Sequence, residues 1–128
     1  MIQARLLEPT IFGHIDYTGV RRLLEVGSGV GAQTEILLRR FPELHVTGVD
    51  LSEAQLSTAR ANLEKPPWCS DRYVLQHADA GELPFGARAF DGAFLCWVLE
   101  HVPSPARVLR EVGRVLSPGT PVYITEEM

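Results

Sequence analysis

Two cysteines, Cys69 and Cys96, are all that this 128-residue chain contains, and they form neither a CxxC pair nor a disulfide framework. A secreted, disulfide-stapled scaffold is therefore not expected, and a reducing cytoplasm is the default compartment. Charge of one sign is also scarce: 12 basic against 16 acidic residues leave a net charge of −4. That balance gives neither nucleic acid nor an anionic membrane an electrostatic hold. No apolar run approaches the ~18 residues a membrane span needs, and no signal peptide opens the chain. Repeats, low-complexity tracts and interdomain linkers are missing, and no metal is expected. What remains is an ordinary globular composition, 45% hydrophobic and 22% charged. The length allows a single domain over residues 1–128 with a modest core.

Against that plain background one stretch stands out, Leu23-Leu24-Glu25-Val26-Gly27-Ser28-Gly29-Val30-Gly31-Ala32. Apolar residues run into three alternating glycines, and an amphipathic run follows. The pattern predicts a strand turning into a helix around a nucleotide-like ligand, with backbone too close to that ligand to carry a Cβ. N–H groups at the helix start then face the ligand. With Ala32 in third place the run also satisfies the dinucleotide pattern G-x-G-x-x-G/A, and Asp50 lies close to the roughly 20-residue spacing expected of its acidic partner. Glu25 argues against a dinucleotide. A carboxylate at the ligand end of a buried strand is costly unless it meets a partner, and a cationic amino group would be one. The alternative is a Glu that caps nearby backbone or pairs with Arg21 or Arg22.

Strand and helix alternate along the rest of the chain. Residues 21–27 predict a first strand, and a helix over about 31–40 places Ile36, Leu37 and Phe41 on one side before Pro42. A second strand over 45–50 ends on Asp50; Ser52 with Gln55 reads as a capping box for a helix through about 64, with Leu56, Ala59 and Leu63 on one face. Pro66-Pro67 stops that helix. A third strand spans roughly 72–77 and runs into Asp79, and a fourth covers Phe90 to Trp97. Ser104-Pro105 starts another helix, with Val108, Leu109, Val112, Val115 and Leu116 as its apolar stripe, and Val122-Tyr123-Ile124-Thr125 is a fifth strand. Cys96 sits in an apolar run and reads as a buried thiol, whereas Cys69 falls in a loop. Such βαβ alternation implies a Rossmann-like α/β fold, a doubly wound parallel sheet of strand order 3-2-1-4-5 joined by right-handed crossovers.

Ligands of such sheets bind beyond the carboxyl ends of the strands. Gly27, Asp50, Asp79 and Cys96-Trp97 all fall at those ends. Asp50 can accept from both hydroxyls of a ribose, or can serve as a cap ahead of Ser52. Asp79 can accept from the exocyclic amine of a base, or can cap its own loop.

The series Glu25-Val26-Gly27-Ser28-Gly29-Val30-Gly31, Gly48-Val49-Asp50-Leu51-Ser52 and Ala78-Asp79-Ala80-Gly81-Glu82-Leu83-Pro84-Phe85 resembles the class I S-adenosylmethionine-dependent methyltransferases. Phe90-Asp91-Gly92 through Val98-Leu99-Glu100-His101-Val102, then Leu109-Arg110-Glu111-Val112-Gly113-Arg114-Val115-Leu116-Ser117-Pro118-Gly119, extend the likeness over residues 22–125. Within that superfamily the chain is most similar to the small-molecule branch typified by ubiquinone and menaquinone biosynthesis methyltransferases. The resemblance implies S-adenosyl-L-methionine as cofactor and a small-molecule methyl acceptor. It implies that Glu25 faces the methionine amino group, usually through water, and that Gly27, Ser28, Gly29 and Gly31 line methionine and ribose. Asp50 would hold the ribose hydroxyls, Leu51 would pack on adenine, Asp79 would accept from its amine, and the Ala80 N–H would meet a ring nitrogen. Cys96 would lie beside the methionine moiety.

The implied reaction is in-line displacement of the sulfonium methyl, for which positioning and exclusion of water matter more than a fixed catalytic side chain. His101 is the nearest candidate general base, with a structural role as its alternative. Trp97 either shields the sulfonium or fills core. The family's last two strands are expected beyond the fifth, so the chain reads as a core truncated at its C-terminus. Its short N-terminal segment has His14, Asp16 and Tyr17 as polar groups. An unpaired fifth-strand edge then predicts self-association. Two other readings stand beside a methyltransferase: an NAD-binding oxidoreductase, and a cofactor-binding module without turnover.

Overall fold

In a computed structural model, residues 15–96 and 99–125 are described. The apolar runs form five strands, β1 Arg22–Val26, β2 His45–Asp50, β3 Tyr73–His77, β4 Gly92–Cys96 and β5 Val122–Thr125. All neighbours are parallel, and the order across the sheet is β3-β2-β1-β4-β5, the order the alternation predicts. β1 thus lies in the middle, which is why its residues after Arg22 are buried without a break. Its glycine-rich exit opens next to β2 on one side and β4 on the other.

Among the described residues three α-helices cover the sheet. α1 (Ala32–Arg40) carries Glu35 in its first turn and Arg39 and Arg40 in its last, the polarity its dipole favours. α2 (Glu53–Glu64) starts at Ser52, whose hydroxyl accepts from the Gln55 N–H at 3.1 Å. α3 (Pro105–Val115) starts at Ser104 in the same way, with a proline in its first turn. Alternation along β1 then divides the core. Leu23 joins Ile36, Leu37 and Leu38 of α1, Leu63 of α2 and Phe94 on one face. Leu24 and Val26 join Val108, Val112 and Val115 of α3 with Ala93 and Leu95 on the other. Each such Leu or Val removed from water contributes roughly 1.5–3 kcal/mol. By the same alternation Glu25 falls on the first face, beside Leu23 rather than beside Leu24.

Three local expectations change. Leu109 is 41% exposed, so the α3 stripe is Val108, Val112 and Val115, with Leu116 already out of the helix and bridged to Phe90. Cys69 is not a loop thiol in solvent: it ends a 3-10 turn, Pro67–Cys69, and is fully buried in the first core. Tyr17, one of the polar groups of the N-terminal segment, is a core residue: it is buried under the sheet, donates its hydroxyl to the Ala93 carbonyl oxygen and meets Phe41 and Tyr123 edge to face. Among the described residues no helix is long and apolar enough to cross a membrane.

Candidate functional site

At the exit of β1 the chain bends through Gly27, Gly29 and Gly31, with φ of 79°, 56° and 86°. This left-handed backbone is strained for any residue with a Cβ. The bend is fixed by its own hydrogen bonds: the Gly27 and Ser28 N–H groups donate to the Val49 carbonyl oxygen at 2.9 and 3.1 Å, and Gly31 N–H donates to that of Ser28. At Gly29 a Cβ would point into open space, whereas at Gly31 it would press on Leu63 and Ala59 of α2. Gly29 therefore has room on its open side, and Gly31 is a packing contact. Ser28 turns inward and is fully buried, which is possible only because Gly48 lies beside it: a Cβ there would come within 2.9 Å of Ser28 Cβ.

Asp50, the last residue of β2, takes the capping role and also holds the glycine loop. One carboxylate oxygen accepts the Gly29 N–H at 2.9 Å and ties down the glycine loop, while the other accepts the Ser52 N–H at 2.9 Å and caps α2. A carboxylate has about four acceptor positions, so capacity remains on both oxygens. Asp79 accepts the Gly81 N–H at 2.8 Å, which is the loop-capping arrangement. His77 stands between them and donates from Nε2 to the Leu51 carbonyl oxygen at 2.9 Å.

These groups surround one cleft of about 290 Å³ over the carboxyl ends of β1, β2 and β3. Gly27, Asp50, Leu51, Asp79, Ala80 and His101 line it, together with Val26, Val49, Ala78, Val102 and Pro103. Leu51 is 59% exposed there, an apolar side chain held on a rim. His101 ends a 3-10 turn, Leu99–His101, that closes the far side. No lysine or arginine lines the cleft among the described residues, so its charge is set by two carboxylates.

Glu25 lies beneath this rim and is 1% exposed. Thr34, one turn into α1, donates its hydroxyl to Glu25 Oε1, and Oε2 has no partner. Arg21 instead reaches Glu43 at 3.8 Å. Burial, opposed by the Thr34 hydrogen bond and aided by the charge of Asp50, pushes the Glu25 carboxyl up to about 8. Ser28 Oγ is the second buried polar atom without a partner among the described residues. Unsatisfied groups of this kind are rare in native proteins and need a partner, an ordered water or a ligand.

Of the residues singled out from sequence, Gly27, Asp50, Leu51, Asp79, Ala80 and His101 meet at the cleft, Glu25, Ser28 and Gly29 lie at or under its glycine wall, and Gly31 faces α2. Cys96 closes β4, but its side chain is outside the described residues, as are His14, Trp97 and Val98. Sequence reasoning missed Thr34, Gly48 and His77. Thr34 carried a signal, a hydroxyl on a helix face otherwise made of Ala32, Ile36, Leu37 and Leu38.

A glycine loop and acidic strand ends over the carboxyl edge of a 3-2-1-4-5 parallel sheet define a nucleoside-binding α/β domain of Rossmann-like type. The family described as a methyltransferase domain matches residues 24–124. Over 98 residues the chain is 37% identical to the demethylmenaquinone methyltransferase of Symbiobacterium thermophilum, covering 76% of this chain and 39% of that protein. Over 113 residues it is 34% identical to the ubiquinone biosynthesis O-methyltransferase of Stutzerimonas stutzeri, covering 88% and 46%. The crystal structure of the cyclase SpnF superposes with a TM-score of 0.85 at 31% identity, covering 96% of this chain and 44% of that one. The chain belongs to the class I S-adenosylmethionine-dependent methyltransferase family. It spans less than half the length of each of these three proteins. The NAD-binding alternative is overturned by that membership, and the site gives the reason: a pyrophosphate would face carboxylates, and the Gly29 N–H it would need is already given to Asp50. The acidic rim of the cleft and the two buried oxygens without a partner, Glu25 Oε2 and Ser28 Oγ, are compatible with a ligand that carries an ammonium and a ribose.

Proposed function

We propose that this domain binds S-adenosyl-L-methionine across the carboxyl ends of β1, β2 and β3 and serves transfer of its methyl group to a small-molecule acceptor. The observation that carries the reading is the convergence of Gly27, Asp50, Leu51, Asp79 and Ala80 on one acidic cleft, with a buried carboxyl, Glu25, on the strand that leads into the glycine loop. When bound, the cofactor supplies a methyl group on a positively charged sulfur, already activated for displacement. The chain's own residues then position and shield. Glu25 and Ser28 hold the ammonium end, Asp50 accepts from the ribose hydroxyls while keeping its two backbone bonds, and Leu51 covers one face of the base. Asp79 and the Ala80 N–H read the base edge, and Cys96 borders the methionine end.

His101 is exposed and lines the cleft, which supports a role for it as the base that takes a proton from the acceptor. His101→Gln should lower kcat by about 10²-fold or more with little change in cofactor affinity if it acts as a base; an unchanged kcat assigns it a structural role. Acceptors of small organic type are supported by the relatives, which are named for menaquinone and ubiquinone biosynthesis. A second reading, cofactor binding without methyl transfer, is favoured by the similarity to a protein named as a cyclase. Among the described residues β5 pairs only with β4, and Val122 and Ile124 are 40% and 44% exposed, so self-association through this edge is part of the proposal.

Titration calorimetry with S-adenosylmethionine, S-adenosylhomocysteine and NAD tests cofactor choice, and a labelled-methyl assay over a panel of small acceptors tests transfer. Saturable binding of the first two with no NAD binding supports the reading. NAD binding without S-adenosylmethionine binding overturns it, and cofactor binding without product on any acceptor moves the assignment to the second reading.

A further inference from the structure

We propose that the Glu25 carboxyl, buried under the glycine loop with one oxygen held by Thr34 and the other unpartnered, carries a proton until a cationic ligand reaches it, so that cofactor binding expels one proton. The inference rests on the cofactor reading above and goes beyond it, since it concerns the proton and not the ligand's identity.

The surroundings of Glu25 hold no positive charge among the described residues. From β2, Gly48 sits opposite it in register, and Asp50, two residues on, adds a negative charge. From β4 the partner is Phe94, from α1 it is the neutral Thr34 hydroxyl, and from the N-terminal segment Tyr17 interacts with it electrostatically. Tyr17 is itself held neutral by burial, which raises its hydroxyl far above the ordinary value, with Tyr123 and Glu25 adding to the rise. Among the described residues Asp50 and Tyr17 both disfavour a second anion there, and the polar help is the Thr34 hydroxyl. A carboxylate in such a place is neutral at pH 7 unless a cation arrives.

The exchange balances simply. The O–H bond of Glu25 breaks, the proton passes to a buffer base, and the ligand's ammonium takes up the charge pairing with the new carboxylate. Below the Glu25 value of about 8 the affinity then rises about tenfold per pH unit, because the proton and the ammonium compete for one oxygen. Above about 8 the ligand's own α-amino group, with an ordinary value of about 7.7–8.0, loses its charge, so the rise ends and affinity falls.

The test is calorimetric titration of the intact chain with S-adenosylmethionine at pH 7 in phosphate, MOPS and Tris, whose ionisation enthalpies differ. The slope of observed enthalpy against buffer enthalpy counts protons. Close to one proton released per cofactor is expected, with none for Glu25→Gln, and none for 5′-methylthioadenosine, which lacks the ammonium. Binding with no proton released overturns the inference and leaves the cofactor reading standing. Release that persists in Glu25→Gln, or that accompanies 5′-methylthioadenosine, also overturns it, because the proton then comes from another group. Absence of binding in every buffer sinks the cofactor reading itself and this inference with it.

Discussion

The two ends of the same sheet carry clefts of equal volume, each about 290 Å³, and they are built on opposite principles. At the amino end the cleft is bounded by Tyr17, Val20, Phe41 and Leu44 with the turn residues between them. Polar groups there satisfy one another. Asp91 accepts from the Arg22 N–H at 2.7 Å and the Arg21 N–H at 3.2 Å, and Arg72 donates to the carbonyl oxygens of Phe41 and Leu44. At the carboxyl end the backbone takes left-handed turns, two carboxylates share the rim, and Glu25 Oε2 and Ser28 Oγ are buried without partners. Size does not distinguish a binding site here. Unmet chemistry does: groups that cost stability are tolerated only at the end where a ligand can repair them.

The largest expected effect concerns Glu25. The folded protein keeps its proton up to about 8, against an ordinary value of 4.5 in the unfolded chain, so the folded state binds the extra proton between those values. Its contribution to stability is complete below the unfolded value and is lost as pH rises through about 8, by roughly 5 kcal/mol. Glu25→Gln, neutral at every pH, should therefore match the parent near pH 5 and melt at a higher temperature by pH 8.5. A melting difference that does not grow with pH would contradict this. Next in size is a paired test of the two ends. Asp50→Ala should weaken cofactor binding by roughly 1.5–3 kcal/mol, whereas Asp91→Ala should lower unfolding stability by roughly 1–3 kcal/mol and leave cofactor affinity alone. Equal effects on affinity would erase the distinction between the ends.

Gly48→Ala sharpens the comparison further. The new methyl group must displace Ser28 by several tenths of an ångström, so stability should fall by roughly 1–2 kcal/mol and affinity should fall with it. Unfolding and calorimetry on the same sample separate those parts. Smallest is Leu109→Gln. Leu109 stands off the apolar stripe of α3, and denaturant unfolding should move by less than about 0.5 kcal/mol.

Much of this architecture is legible in the sequence because periodicity reports burial. The unbroken apolar run of β1 marks a central strand, Ser52 and Ser104 mark helix starts, and their hydroxyls make the expected bonds. The strand order follows from βαβ alternation. What escapes is whatever depends on contacts between distant segments. Asp50 was read as ribose ligand or cap, and only the folded loop brings the Gly29 N–H to it across 21 residues. The capping box at Ser52 is half replaced, since Asp50 takes the Ser52 N–H that Gln55 would otherwise receive. Leu109 sits next to Val108 in the sequence, yet the 100° step between neighbours carries it out of the stripe. Thr34 and Gly48 have meaning only through Glu25 and Ser28, which no local pattern links to them.

Glu111 and Arg114 show the same limit on the other face. Arg114 donates to the Leu83 and Phe85 carbonyl oxygens, and Glu111 accepts the Leu83 N–H at 2.8 Å, so α3 holds the loop that follows Asp79. Their mutual hydrogen bond holds the Glu111 carboxyl below its ordinary value. Two charges on an outer helix face are a clamp in the fold.

The most direct test of the central claim is a crystal structure of this chain grown with S-adenosylhomocysteine. The ribose should lie on Asp50, the base between Leu51 and Asp79, and the ammonium against Glu25. Ligand found in the amino-end cleft beside Tyr17, or bound with its ribose turned away from Asp50, would contradict the account.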